Sequence, residues 1–233
     1  MRTSSVCLSL AVLIVSAPAS AQLPTEVNAR AALEHYLRGQ SLLSAERWER
    51  AVDEFAAAIR LHPLLTDAHY GLGHAYLALQ RYASAVQAFE RCLAAARTLH
   101  GAYQRPRVEH DEDIEQLDGA FRERDVHLER LPLFAEASRP RRPMAVTTAF
   151  EPPAPLLLSL GSAHFRNGDP LAAEQYWTDA IRVNDRLGEA WNNLAIVYKN
   201  TARKAAAAAA LRRAERVGFH VHPRLRDEIR SMK

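Results

Sequence analysis

Ten histidines, two cysteines and one dense run of carboxylates are the side chains of this 233-residue chain that invite a chemical reading. His220 and His222 stand close enough to share a metal ion, and His110 is followed at once by Asp111, Glu112 and Asp113. A zinc-type site needs three or four such ligands at spacings that one turn or helix can present together. Neither cluster supplies a full set, so no metal ion and no cofactor is expected, and the remaining histidines read as packing or surface residues. Nucleophilic chemistry fares no better. There is no phosphate loop ending in Gly-Lys-Ser/Thr, no zinc-protease helix motif, no nucleophile elbow and no calcium loop. The pair Gly71 and Gly73 opens no strand-turn-helix unit, so it is not a dinucleotide fingerprint. No catalytic residue is assigned, and an enzyme is not expected.

The elements that carry these residues announce themselves by a repeat. Leu72, Gly73, Tyr76, Ala85, Phe89 and Cys92 occupy slots that return one period earlier as Gly39, Leu42, Ala51, Phe55 and Ala58, closed by Pro63. The slots return again as Leu160, Gly161, His164, Ala173, Trp177 and Ala180, and once more as Leu194, Ala195, Tyr198, Ala207, Leu211 and Ala214. Small residues at fixed positions let two helices cross closely, and rings at two others fill the space around the crossing. A helical hairpin of this kind cannot bury its apolar face alone and has to stack on its neighbours. The expected fold is therefore all-α, a solenoid of helical hairpins in two pairs, separated by a partly helical, Pro-rich insertion and closed by a C-terminal capping helix.

These slots, together with the segments 68–76, 160–166 and 188–195, resemble the tetratricopeptide repeat (TPR) family, in particular exported bacterial members that share the two-plus-two layout. Departures exist: His35 and Arg38 replace the usual Trp and Leu, and Asp185 stands where Pro is usual. The resemblance implies a scaffold whose first helices line a concave groove. Carried onto this chain, the groove positions are Leu33, Tyr36, Gln40 and Leu43, then Tyr70, His74 and Leu77, then Leu158, Phe165 and Arg166, then Asn192 and Lys199. Asp67, Ser162, Glu189 and Ile196 fall in the same set. The first half is aromatic and apolar, which suits a peptide or partner helix with apolar anchors. The alternative is that Tyr and Leu side chains there pack on the insertion. Family members that clamp the tails of cytosolic chaperones resemble one another in a set of Lys, Asn and Arg residues; Tyr36, Gln40 and Gly71 stand in those places here. On this reading Tyr70→Ala with Leu77→Ala weakens binding and leaves folding largely intact.

Before the repeats, Arg2, the uncharged apolar run Val6–Val15 and Ala19-Ser20-Ala21 match a secretory signal peptide over residues 1–21. Its removal takes Cys7 and leaves Cys92 alone, in a slot that asks for a small apolar residue. The expected location is outside the cytoplasm, periplasmic or secreted, with no membrane span after cleavage. Charge excludes little: 30 basic residues face 27 acidic ones, and the arginines are scattered instead of forming a stripe, so nucleic acid is not an expected partner.

The remaining chain divides into a lead-in and two repeats over 22–99, the insertion over 100–153, two repeats over 154–221 and a cap over 222–233. Within the insertion, Ile114, Leu117, Phe121, Leu128 and Leu131 recur at helical steps, predicting a helix over about 111–131. A Pro- and Arg-rich linker follows. Either the insertion loops out and the second repeat docks on the third, which is the favoured arrangement, or its helix forms a layer between them. The functional expectation is a noncatalytic interaction scaffold of the cell envelope with a protein or peptide partner. The alternative is a metal- or ligand-binding accessory subunit of an envelope enzyme, using the His110 cluster.

Overall fold

The computed structural model describes residues 26–104 and 149–232. The signal segment, the insertion helix over 111–131, its His110 cluster and the linker that follows lie outside the described residues. Within them are nine helices and no strand: α1 (Glu26–Ser44), α2 (Trp48–Leu61), α3 (Thr66–Ala78), α4 (Tyr82–Gln104), α5 (Ala154–Arg166), α6 (Pro170–Val183), α7 (Gly188–Asn200), α8 (Lys204–Arg216) and α9 (Pro223–Ser231). Successive helices pair as four antiparallel hairpins, α1–α2, α3–α4, α5–α6 and α7–α8, each stacked on the next. This is the all-helical hairpin solenoid expected from the slots.

Each hairpin turns the same way. The first helix is followed by a left-handed residue, at Glu46 (φ 59°), Gln80 (φ 58°), Gly168 (φ 88°) and Ala202 (φ 56°). The next amide then reaches back into the last turn of the helix: Arg47 to the Leu42 carbonyl at 2.9 Å, Arg81 to Tyr76 at 2.9 Å, Asp169 to His164 at 2.9 Å and Arg203 to Tyr198 at 2.8 Å. These bonds satisfy carbonyls that a helix end would otherwise leave open. Gly168 alone adopts the conformation without a side-chain penalty. Between repeats, Pro63 follows the end of α2, whereas Asn184 does the equivalent work after α6. Its Oδ1 accepts from the Arg186 amide at 3.1 Å, an Asx turn that makes proline dispensable beside Asp185.

The ring slots explain why the small slots must be small. Phe55 is fully buried against Gly39, where a Cβ would come within 2.7 Å of its ring, and against Gly71 of the next repeat. Trp177 takes the same place over Gly161, and its indole N–H donates to the Leu158 carbonyl at 3.1 Å. Burying one such ring stabilises the fold by roughly 1.5–3 kcal/mol.

The stack runs on across the insertion. Ala85, Val86, Phe89, Cys92 and Leu93 of α4 share one apolar cluster with Leu156, Leu160 and Ala163 of α5, so the second repeat packs directly on the third. α4 itself continues past Leu99 to Gln104, since no proline interrupts it before Pro106. At the other end α9 contributes Leu225 and Ile229, buried beside Leu211, Ala214 and Val221, and closes the core. No described helix is long and apolar enough to cross a membrane.

Candidate partner-binding face

The first helices, α1, α3, α5 and α7, carry the groove positions, and the structure separates these into packed and accessible side chains. Leu33 and Leu43 are half-buried against the first apolar cluster. Tyr36 is only 2% exposed; its ring lies 6.1 Å from Phe55, and its hydroxyl accepts from the Gln40 amide. Burial, reinforced by the neighbouring Asp67 carboxylate, pushes the Tyr36 phenol well above its ordinary pKa. Asp67 is itself 3% exposed. Gln40 stays exposed.

One helix further on, Tyr70 and His74 turn toward the third repeat. The Tyr70 hydroxyl lies 3.2 Å from Ser159 Oγ, and His74 Nε2 lies 3.4 Å from the same oxygen. The two rings meet edge to face at 4.6 Å, and each also touches Phe89. Desolvation raises the Tyr70 pKa and lowers that of His74, so both are neutral near pH 7. Leu77 packs into the α4–α5 cluster beside them. Tyr70, His74 and Leu77 therefore join the seam between the halves of the array. The double truncation Tyr70→Ala/Leu77→Ala would remove contacts of that seam, so it is expected to destabilise the fold as well as alter the face. Ser159, which carries the seam's polar contacts, occupied no groove position in the sequence reading, because its role depends on α3 and α5 meeting across the insertion.

Leu158 and Phe165 are half-buried against the C-terminal cluster, with the Phe165 ring 5.7 Å from Trp177, while Arg166 is exposed. His164 fills its ring slot by stacking on Tyr176 at 5.2 Å. Cys92 is fully buried and burial pushes its thiol up, which makes it a packing residue and not a nucleophile. Among the described residues no three His, Cys, Asp or Glu side chains approach closely enough to hold a metal ion. His222 is committed elsewhere: it caps α9, its Nδ1 accepting from the Arg224 amide at 3.2 Å.

The last groove residues open into a cleft. Asn192, Ile196 and Lys199 of α7, Phe219, His220 and His222 of the segment before α9, and Arg224, Leu225 and Glu228 of α9 line a space of about 450 Å³. Glu228 lies between two cations, 2.6 Å from Lys199 Nζ and 2.9 Å from Arg224 Nε. The Lys199 hydrogen bond, then that of Arg224, holds the Glu228 carboxyl below its ordinary range.

The tetratricopeptide repeat family model matches residues 36–99 and 158–218, the two pairs of hairpins. No curated protein matches the chain in sequence. Among solved structures, MamA is similar in fold, with a TM-score of 0.54 and 12% identity over 80% of this chain and 77% of that one. A double mutant of MamA RS-1 has a TM-score of 0.54 and 15% identity, covering 80% of this chain and 74% of that one. YrrB, described as a TPR protein with an unusual peptide-binding site, has a TM-score of 0.52 and 17% identity over 83% of this chain and 72% of that one.

Proposed function

Because this chain belongs to the tetratricopeptide repeat family, we propose that it is a noncatalytic protein–protein interaction scaffold of the cell envelope, holding a peptide or partner helix on its concave face. The observation that carries this reading is the unbroken stack: α4 docks on α5, so the first helices of four hairpins form one continuous face instead of two short ones. A face of that length accommodates an extended or helical segment, and preformed helical surfaces bind such segments at little ordering cost. The peptide-binding site named for YrrB is consistent with this use of the fold. Arg2, the run Val6–Val15 and the Ala19-Ser20-Ala21 cleavage pattern support export.

Two measurements test the reading. Residues 1–30 fused to alkaline phosphatase, which is active only outside the cytoplasm, are expected to give an active reporter; an inactive fusion removes the envelope from the proposal. The full chain, immobilised beside a Gln40→Arg/Arg166→Glu variant, is expected to retain an envelope protein that the variant loses. Both altered side chains are exposed, but Gln40→Arg replaces the amide that donates to the Tyr36 hydroxyl, so an unchanged thermal melt of the variant is required beside the binding result. Equal retention by the two proteins argues against the concave face.

A further inference from the structure

The two ends of the array are finished differently. At the C-terminal end α9 buries Leu225 and Ile229 and closes the core. Among the described residues no helix does the same for α1, whose main contacts are with α2 and α3. Ala32, Tyr36 and Gly39 form the buried side of α1, and Val27, Arg30, Glu34 and Leu37 recur at three- and four-residue steps on the opposite side. Val27 is 77% exposed and Leu37 55%, so two of the three large exposed apolar side chains among the described residues share one stripe. Single exposed apolar residues are ordinary; two on one stripe with opposite charges between them form a pattern. That pattern matches its own reverse. Val27 and Leu37 stand equally far on either side of Ala32, and both are apolar; Arg30 and Glu34 also stand equally far, and their charges are opposite. A two-fold axis perpendicular to α1 at the level of Ala32 therefore lays Val27 on Leu37 of a second copy and Arg30 on its Glu34, each contact occurring twice. Within one chain Arg30 Nε lies 3.9 Å from Glu34 Oε1 and both side chains are mostly exposed, so each keeps hydrogen-bonding capacity for a second partner.

We propose that the outer side of α1 is a self-association face, on which a second copy of this chain docks with its own α1 antiparallel, joining two arrays end to end. The occupant is a second copy because the stripe is complementary to its own reverse in both hydrophobicity and charge, a match that an unrelated helix has no reason to possess. One helix laid on another is a smaller contact than the roughly 800 Å² per partner of a standard stable interface, so the dimer belongs to the weak, concentration-dependent class. The inference does not rest on the scaffold reading. It goes beyond it by giving each particle two arrays, which raises the avidity for any target that offers two copies of a binding segment.

Sedimentation velocity of the purified full chain, and of the chain from Gln22 onward, at micromolar to millimolar concentration tests the assignment. A monomer–dimer equilibrium is expected in both, weakened by added salt because exposed charges supply half of the match. Arg30→Glu and Glu34→Arg each place like charges together twice across the axis, and each is expected to raise the dissociation constant by roughly tenfold or more. Leu37→Ser is expected to weaken the dimer through the apolar contacts instead. All three side chains are exposed, and thermal melts check that each variant is folded. An equimolar mixture of the Arg30→Glu and Glu34→Arg chains is expected to associate again, since every contact across the axis then joins opposite charges; neither damage to the fold nor a contact elsewhere on the surface would produce that rescue. A monomer at every concentration, a dimer indifferent to both charge reversals, or a mixture that stays monomeric overturns the proposal. A dimer formed only when residues 1–21 are present assigns self-association to that segment and overturns it too. None of these outcomes bears on the scaffold reading, which is read separately by partner retention.

Discussion

Phe55 and Gly71 come from successive repeats and pack so closely that a Cβ on Gly71 would stand 2.5 Å from the ring's Cζ. The ring also covers Gly39, so one side chain sets the spacing inside its own hairpin and to the next. Gly71→Ala therefore forces Phe55 off its rotamer or parts the repeats. A loss of about 1–3 kcal/mol is expected from overpacking, read as a lower urea midpoint with an unchanged slope. A Gly71→Ala variant as stable as wild type would show that α2 and α3 can slide apart freely.

Tyr70 and Ser159 join the two halves through a single hydroxyl pair across the α3–α5 seam. Tyr70→Phe keeps the ring contacts with His74 and Phe89 and removes the hydrogen bond. A loss of about 1 kcal/mol is expected, and a double-mutant cycle with Ser159→Ala should show coupling of similar size. Strict additivity would mean that the hydroxyls do not meet.

Ala202 follows α7 in the left-handed conformation at φ 56°, where Gly168 serves in the preceding hairpin. A side chain in that region costs about 1–2 kcal/mol against the right-handed alternative, part of which glycine returns through its freer unfolded state. Ala202→Gly is thus expected to raise stability by about 0.5–1 kcal/mol, and Gly168→Ala to lower it. Thermal melts of the two variants should move in opposite directions.

His62, His69 and His74 each have a pKa lowered in the fold, with burial the largest cause. The unfolded chain takes up protons on these rings below about pH 6.5, while the folded chain resists until lower pH. Stability must then fall as pH drops through that window, by up to about 1.4 kcal/mol per unit for each ring fully withheld from its proton. Glu54 and Glu174, held down by His35 and Arg203, add losses of the same sign at lower pH. Urea midpoints should decline as the buffer is taken from neutral to mildly acidic pH, and less steeply in His74→Phe. A flat profile would place these rings in contact with water.

The repeat was legible because its physics is local. Gly39 and Phe55, or Gly161 and Trp177, lie within one hairpin, so the need for a missing side chain beside a large one appears at a fixed spacing. Leu225 and Ile229 were readable as the sealing side of a cap for the same reason, as apolar residues at helical steps among charges. What escaped depended on distant parts of the chain meeting. Nothing near Ser159 marks it as a partner of Tyr70, because α3 and α5 are brought together by the packing of Phe89 and Leu160. Likewise Lys199 appeared as an isolated groove cation, and its pairing with Glu228 required the placement of α9 beside α7. The turns at Glu46, Gln80 and Ala202 were hidden for another reason: their left-handed residues are not the glycines that usually give such a turn away.

The docking of α4 on α5 makes residues 105–148 a covalent link between surfaces that already adhere. The molecule is in this sense a heterodimer written on one chain. Cleavage within the link would leave a pair of fragments whose union depends on dilution, and the cluster around Phe89 and Leu160 would become their subunit interface.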